Sequence, residues 1–151
     1  APIGLVFLPK ASQLIASKDI GRLKDYIKKL AILTLLLTLA GLIVFEIFAD
    51  EIIKIYLGKG FNDLVFIARI IMLGCLASTF YVSMRSILDA YYFKAVNTKN
   101  IIISLAIFLT GALLIYMLNG SYVILVSSFV VGLYILGILT LFDILKLLRV
   151  K

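Results

Sequence analysis

The sequence predicts an all-α, polytopic membrane protein. Its 151 residues are 64% hydrophobic and have a mean hydropathy of +1.18, whereas soluble domains are about 45–50% apolar. Several windows of about 20 apolar residues follow one another, and each is long enough to cross the roughly 30 Å hydrocarbon layer as a helix. We therefore expect one transmembrane unit over residues 1–151, with four full spans and the end of a fifth.

The chain opens with a short apolar stretch, residues 1–16, which reaches a lysine before it is long enough to cross a bilayer. It starts without Met and without a basic segment, so it does not have the pattern of a signal peptide. We expect it to be the end of a helix that starts earlier in a longer protein.

Residues 17–29 differ in kind from their surroundings. Ile20, Leu23 and Ile27 recur at helical spacing, and basic residues cover much of the remaining surface. This pattern predicts an amphipathic connector lying at the cytoplasmic headgroups. A specific site for a lipid or a partner is the alternative interpretation.

Four apolar segments are the predicted full spans: residues 30–49, 64–90, 101–118 and 122–142. The second of them is the one around which the others are organised, because it carries no charge between Ile70 and Met84 and contains small residues that favour packing against protein.

Three short segments connect these spans. Residues 50–63 carry mixed charges and suit a short interfacial helix, and residues 119–121 form a turn. Residues 94–100 read as a polar loop in which Asn97 or Thr98 caps the next helix.

The basic residues predict the orientation. Segments 10–29, 94–100 and 143–151 would share one side and hold eleven Lys or Arg, whereas the opposite side holds two. The positive-inside rule then puts the basic side and the C-terminus in the cytoplasm, in a multi-pass protein of the cell membrane.

Charged residues near the span ends are the candidates for a substrate path. Arg85 and Asp89 are four residues apart, a spacing that allows an ion pair on one helix face. Snorkelling to the interface is an adequate structural explanation for both, and a gate or cavity role is the alternative. Arg69 is expected to meet Asp63 or headgroups, and Glu46 lies one turn from the end of its span, where an ion-coupling role is the alternative to a structural one.

Two pairs of small residues are candidates for close helix packing. Gly74 with Ser78, and Ser128 with Gly132, have the small-xxx-small spacing that lets helix backbones approach.

The composition also excludes several kinds of site. The chain has no His and one cysteine, Cys75, which removes His-based triads, most zinc sites and intrachain disulfides. No nucleophile-base pair or phosphate loop occurs, so we expect neither an enzyme nor a cofactor or metal. The net charge of +7 is placed between apolar spans, which predicts contact with membrane lipids and not with nucleic acid.

Three stretches resemble one transporter family: FLPKASQL at 7–14, ADEIIKIYLGKGF at 49–61 and DAYYFKAVNTK at 89–99. Together with the basic connector, they are similar to the helix ends and loops of the multidrug/oligosaccharidyl-lipid/polysaccharide exporter superfamily, in particular its Wzx-type polysaccharide flippases. The glycine often found in the family's internal loop is absent here.

The resemblance implies that this chain is the C-terminal part of a transporter with two six-helix lobes. Such proteins export a lipid-linked oligosaccharide or polysaccharide precursor by alternating access. The implied partners are that glycan and the N-terminal helices of the same protein, and the family's cationic cavity residues lie on those helices. A cation-coupled multidrug exporter of the same fold and a non-transporting membrane scaffold or subunit are the alternatives.

Overall fold

The structure, a computed structural model, describes residue 9 and residues 12–17, 20–58, 60, 63–92 and 94–149. It contains four long helices: α1 (Ile20–Leu57), α2 (Asp63–Tyr91), α3 (Val96–Met117) and α4 (Tyr122–Arg149). Each is long and apolar enough to cross a membrane, and no strand occurs within the described ranges. The predicted all-α, polytopic membrane fold is confirmed.

Residues 1–8, 10 and 11 of the predicted partial span lie outside the described ranges. The end of that span is helical at residues 12–16. Leu14 and Ile15 pack against the buried cluster described below, so this end belongs to the folded unit.

Helix α1 differs from the sequence prediction because it is continuous. Its 38 residues extend over about 57 Å at about 1.5 Å per residue, and they include most of the predicted connector, the first span and the predicted interfacial helix. The separation into three elements was wrong. Hydropathy changes along this stretch but no proline interrupts it, and one buried stripe (Leu23, Ile27, Leu30 and Thr34) runs from the basic part into the apolar part.

Helix α3 also starts earlier than predicted, at Val96. The residue before it, Ala95, makes no side-chain capping bond, so the prediction that Asn97 or Thr98 caps this helix was wrong. The predicted turn after α3 is present. Asn119 adopts a left-handed φ of 51°, and the Gly120 N–H donates to the Ile115 carbonyl at 2.8 Å.

The helices lie in a row in the order α1, α2, α4, α3, in which α2 packs between α1 and α4, and α3 packs mainly on α4. The buried cluster lies where α1 begins and where α2 and α4 end; its members are Leu23, Ile27, Leu30, Met84, Ile87, Leu88, Ile144 and Leu147. We call this the basic end of the bundle, and the end that holds the α1–α2 and α3–α4 connections the opposite end. Many large apolar side chains between the two ends are exposed, as expected of surfaces that face lipid.

Small residues mark the closest helix contacts. A Cβ on Gly137 of α4 would lie 3.2 Å from the Ala77 Cβ and 3.4 Å from the Ala77 backbone, so α2 and α4 meet here. Sequence spacing had not singled out Gly137.

The two predicted pairs of small residues lie on α2 and α4. Gly74 is buried against the Leu133 side chain of α4, and Ser78 is half-buried on α2. Gly132 is buried between α4 and α3, where its carbonyl accepts a 2.6 Å hydrogen bond from the Ser104 hydroxyl. Ser128 faces Gly111 across the same helix pair.

Candidate functional site

Arg85 and Asp89 form an ion pair near the end of α2. The Arg85 Nε lies 3.5 Å from the Asp89 Oδ2, and the two side chains are 58% and 50% exposed. The four-residue spacing predicted this pair, because residues four apart share a helix face. The guanidinium is therefore held in place and still accessible.

Asn97 of α3 fixes this pair from the neighbouring element. Its side-chain amide donates to the Arg85 carbonyl at 3.1 Å and to the Asp89 carboxylate at 2.6 Å. Asn97 is 5% exposed. Its side chain therefore forms a buried bridge between the start of α3 and the end of α2. The amide explains why Asn97 does not cap its own helix.

Two buried polar atoms beside the ion pair lack a hydrogen-bond partner. They are the Tyr81 hydroxyl and the Asn97 side-chain oxygen. Tyr81 lies one turn before Arg85 and therefore on the same face of α2. Unpaired buried polar atoms are uncommon and call for an explanation, such as an ordered water. The accessible group of this site is the Arg85 guanidinium, which suits a phosphate.

A second polar network lies at the same end of the bundle. The Asn100 amide donates to the Asp143 carboxylate at 2.8 Å, and the Lys146 amino group lies 3.8 Å from that carboxylate. Asn100 is 3% exposed. This network joins the start of α3 to α4 and holds the first network in position.

Tyr92 links this network to the α2–α3 connection. Its hydroxyl donates to the Asp143 carbonyl at 3.4 Å. Burial raises the pKa of the Tyr92 phenol, and the Asp143 carboxylate and the Tyr91 ring raise it further. The phenol therefore remains a proton donor throughout the neutral pH range.

The opposite end carries a different charged cluster between α1 and α2. Arg69 lies 3.2 Å from the Glu46 carboxylate and donates a 3.3 Å hydrogen bond to Asp50. Both carboxylates belong to α1, whereas the side chain of Asp63, the partner predicted for Arg69, lies outside the part of the chain that the structure describes. Both carboxylates lie in the last third of α1, and the packing of α1 on α2 brings them to Arg69.

This cluster does not suit an anionic ligand. One guanidinium is matched by two carboxylates, so the local charge is negative. A groove of about 520 Å³ between α1 and α2 ends at Glu46 and Arg69, and its remaining lining is apolar. We interpret the cluster as a clamp that joins α1 to α2.

The described ranges hold no cluster of metal-binding side chains. Three or more His, Cys, Asp or Glu residues are nowhere close enough there to hold a metal ion. Cys75 is a free thiol whose Sγ lies 3.6 Å from the Met72 sulfur.

Sequence reasoning missed Tyr81, Asn97, Asn100 and Asp143 as members of these networks. A signal was present, since Asn97 and Asn100 are three residues apart and therefore share a face of α3.

No protein-family model, curated protein or solved structure matches this chain.

Proposed function

We propose that this chain is part of a transporter that moves a lipid-linked oligosaccharide or polysaccharide precursor across the cell membrane by alternating access. The observation that carries the proposal is the Arg85 site. It presents a guanidinium that is paired with Asp89 and is still 58% exposed, at the level where the apolar spans end.

The chemistry of the site matches the part of such a substrate that joins lipid to sugar. That part is a phosphate or diphosphate, for which an arginine fork offers paired hydrogen bonds. The adjoining sugar supplies hydroxyl groups, which can donate to the half-exposed Asp89 carboxylate. The lipid tail remains against the exposed apolar surfaces of the spans.

The orientation in this proposal follows from charge. The start of α1, the α2–α3 connection and the end of α4 lie together at the basic end, which we place in the cytoplasm by the positive-inside rule. Arg85 then lies where a substrate assembled on the cytoplasmic side would first be bound. Four helices in a row do not enclose a path with two openings, so further helices complete it.

A cation-coupled exporter of the same fold is less well supported. Such coupling requires an accessible carboxylate within the membrane, and Glu46, the nearest candidate, is paired with Arg69. No acidic residue lies between positions 70 and 84 of α2 or between positions 101 and 117 of α3.

The test is export of surface glycan in the host after gene deletion and complementation with variants. We expect Arg85→Ala to reduce surface glycan at an unchanged level of membrane protein, and Arg85→Lys to restore it in part, because a point charge replaces a planar fork. Lys99→Ala is the matched control, since Lys99 is a basic, exposed residue at the same end. Normal export by Arg85→Ala, or a loss that only follows loss of the protein, would refute the role of Arg85.

A further inference from the structure

An apolar crevice runs along α2 between α1 and α4, away from the Arg85 site. It consists of two adjoining cavities of about 320 Å³ each, which share Phe80 and Leu141 as lining residues. Leu35 and Ile138 lie towards one end of the crevice, and Met84 and Leu148 towards the other.

The length of the crevice matches one leaflet of a membrane. On α1 its lining extends from Lys24 to Leu35, which is about 16 Å at about 1.5 Å per residue. Half of the roughly 30 Å hydrocarbon layer is about 15 Å. The crevice therefore runs from the membrane surface at the basic end to about the middle of the bilayer.

The charged residues of the crevice are confined to its mouth. Lys24, Asp25 and Lys28 line the cavity nearest the basic end, and all three are exposed. The mouth thus has one net positive charge, whereas the deeper cavity is lined by apolar residues and Tyr134, whose hydroxyl donates to the Leu73 carbonyl.

We propose that this crevice binds an acyl chain of an anionic phospholipid, with Lys24 and Lys28 at the headgroup phosphate. The apolar lining and the one-leaflet length fit an acyl chain, and the charge of the mouth selects an anionic headgroup over a zwitterionic one. This site is separate from the Arg85 site and does not depend on the proposed transport function.

The size of the preference follows from the charge. One positive charge near an anionic lipid surface strengthens binding about fivefold. The mouth has one net positive charge, so we expect the crevice to bind an anionic phospholipid about five times more tightly than a zwitterionic one. Removal of both lysines leaves Asp25, and the preference for the anionic lipid is then lost.

A tryptophan reporter measures occupancy of the crevice, because the chain has no tryptophan of its own. Ile138→Trp places the reporter in the crevice, and Ile102→Trp is the matched control on α3. Ser104 lies opposite Gly132 and Asn100 opposite Asp143, so Ile102 lies at about the depth of Ile138. Leu141→Trp is a second crevice reporter for the case in which Ile138→Trp does not fold.

The whole chain is reconstituted in phosphatidylcholine vesicles that contain a small fraction of lipid brominated on its acyl chains. The brominated lipid is either phosphatidylglycerol or phosphatidylcholine, at equal mole fraction. We expect the crevice reporter to be quenched as if the anionic lipid were about five times enriched there. The control reporter at Ile102 should be quenched equally by the two lipids.

Charge variants of the crevice reporter complete the experiment. Lys24→Gln with Lys28→Gln should remove the preference, whereas Lys94→Gln with Lys99→Gln removes two exposed charges at the same end and should leave it intact. Equal quenching by both lipids, or equal effects of the two charge pairs, would overturn the proposal. Absence of quenching at both crevice reporters would also overturn it, because protein, such as a second copy of the chain, would then fill the crevice.

Discussion

Replacement of Gly137 by leucine should weaken the bundle at its closest helix contact. A Cβ at this position would already lie 3.2 Å from the Ala77 Cβ and 3.4 Å from the Ala77 Cα and carbonyl oxygen, whereas carbon atoms prefer separations of about 3.5–4.0 Å. The contacted atoms belong to a short side chain and a helix backbone, so they cannot rotate away. Helices α2 and α4 must therefore separate.

The expected cost is the roughly 1–3 kcal/mol typical of an overpacked core. Gly41→Leu is the matched control, because a Cβ at Gly41 of α1 meets nothing within 4 Å. Both substitutions gain helix propensity equally, about 1 kcal/mol relative to glycine, so the difference between them isolates the contact.

The two variants are compared by their free energies of unfolding, measured in mixed micelles by titration with a denaturing detergent. Gly74→Ala provides an intermediate case, since the atom that its Cβ would meet is the mobile end of the Leu133 side chain. We expect Gly74→Ala to be close to neutral. Equal stability of Gly137→Leu and Gly41→Leu would refute the contact between α2 and α4.

Two further predictions concern the basic end. Asn97→Ala should lower the free energy of unfolding by about 1–3 kcal/mol, because two groups lose a buried donor. The control, Thr98→Ala at an exposed neighbour, should change it by less than about 0.5 kcal/mol. Equal effects of the two substitutions in the same unfolding titration would contradict the bridging role of Asn97. In a Cys75→Ser background, Lys24→Cys should react with an impermeant thiol reagent only from the cytoplasmic side and Lys54→Cys only from outside. The reverse pattern of labelling would invert the proposed orientation.

The fold class followed from the sequence because it depends on local properties. Apolar length and the position of turns are properties of single segments, so the four helices and the turn at Asn119 were predicted. The continuity of α1 was harder to predict. Hydropathy changes at Leu30, but the buried stripe from Leu23 to Thr34 continues across that residue. When only the average hydropathy of each segment is compared, an amphipathic beginning and an apolar continuation of one helix look like two separate elements.

The candidate sites divide in the same way. Arg85 and Asp89 are four residues apart, so their ion pair is visible in the sequence. Arg69 and Asp50 are 19 residues apart, and only the packing of α1 on α2 decides that they meet. Asn97 appeared as a capping residue because capping is a local property, whereas its actual partners belong to α2.

The proposed export of a lipid-linked glycan precursor is tested most directly by measuring the leaflet in which that precursor resides. In host cells that lack the gene, we expect the lipid-linked oligosaccharide to accumulate in the cytoplasmic leaflet, protected from a glycosidase added outside, while surface glycan falls. Restoration of the gene should return the precursor to the outer leaflet. Unchanged surface glycan with no accumulation of the precursor in the deletion strain would contradict the proposed function.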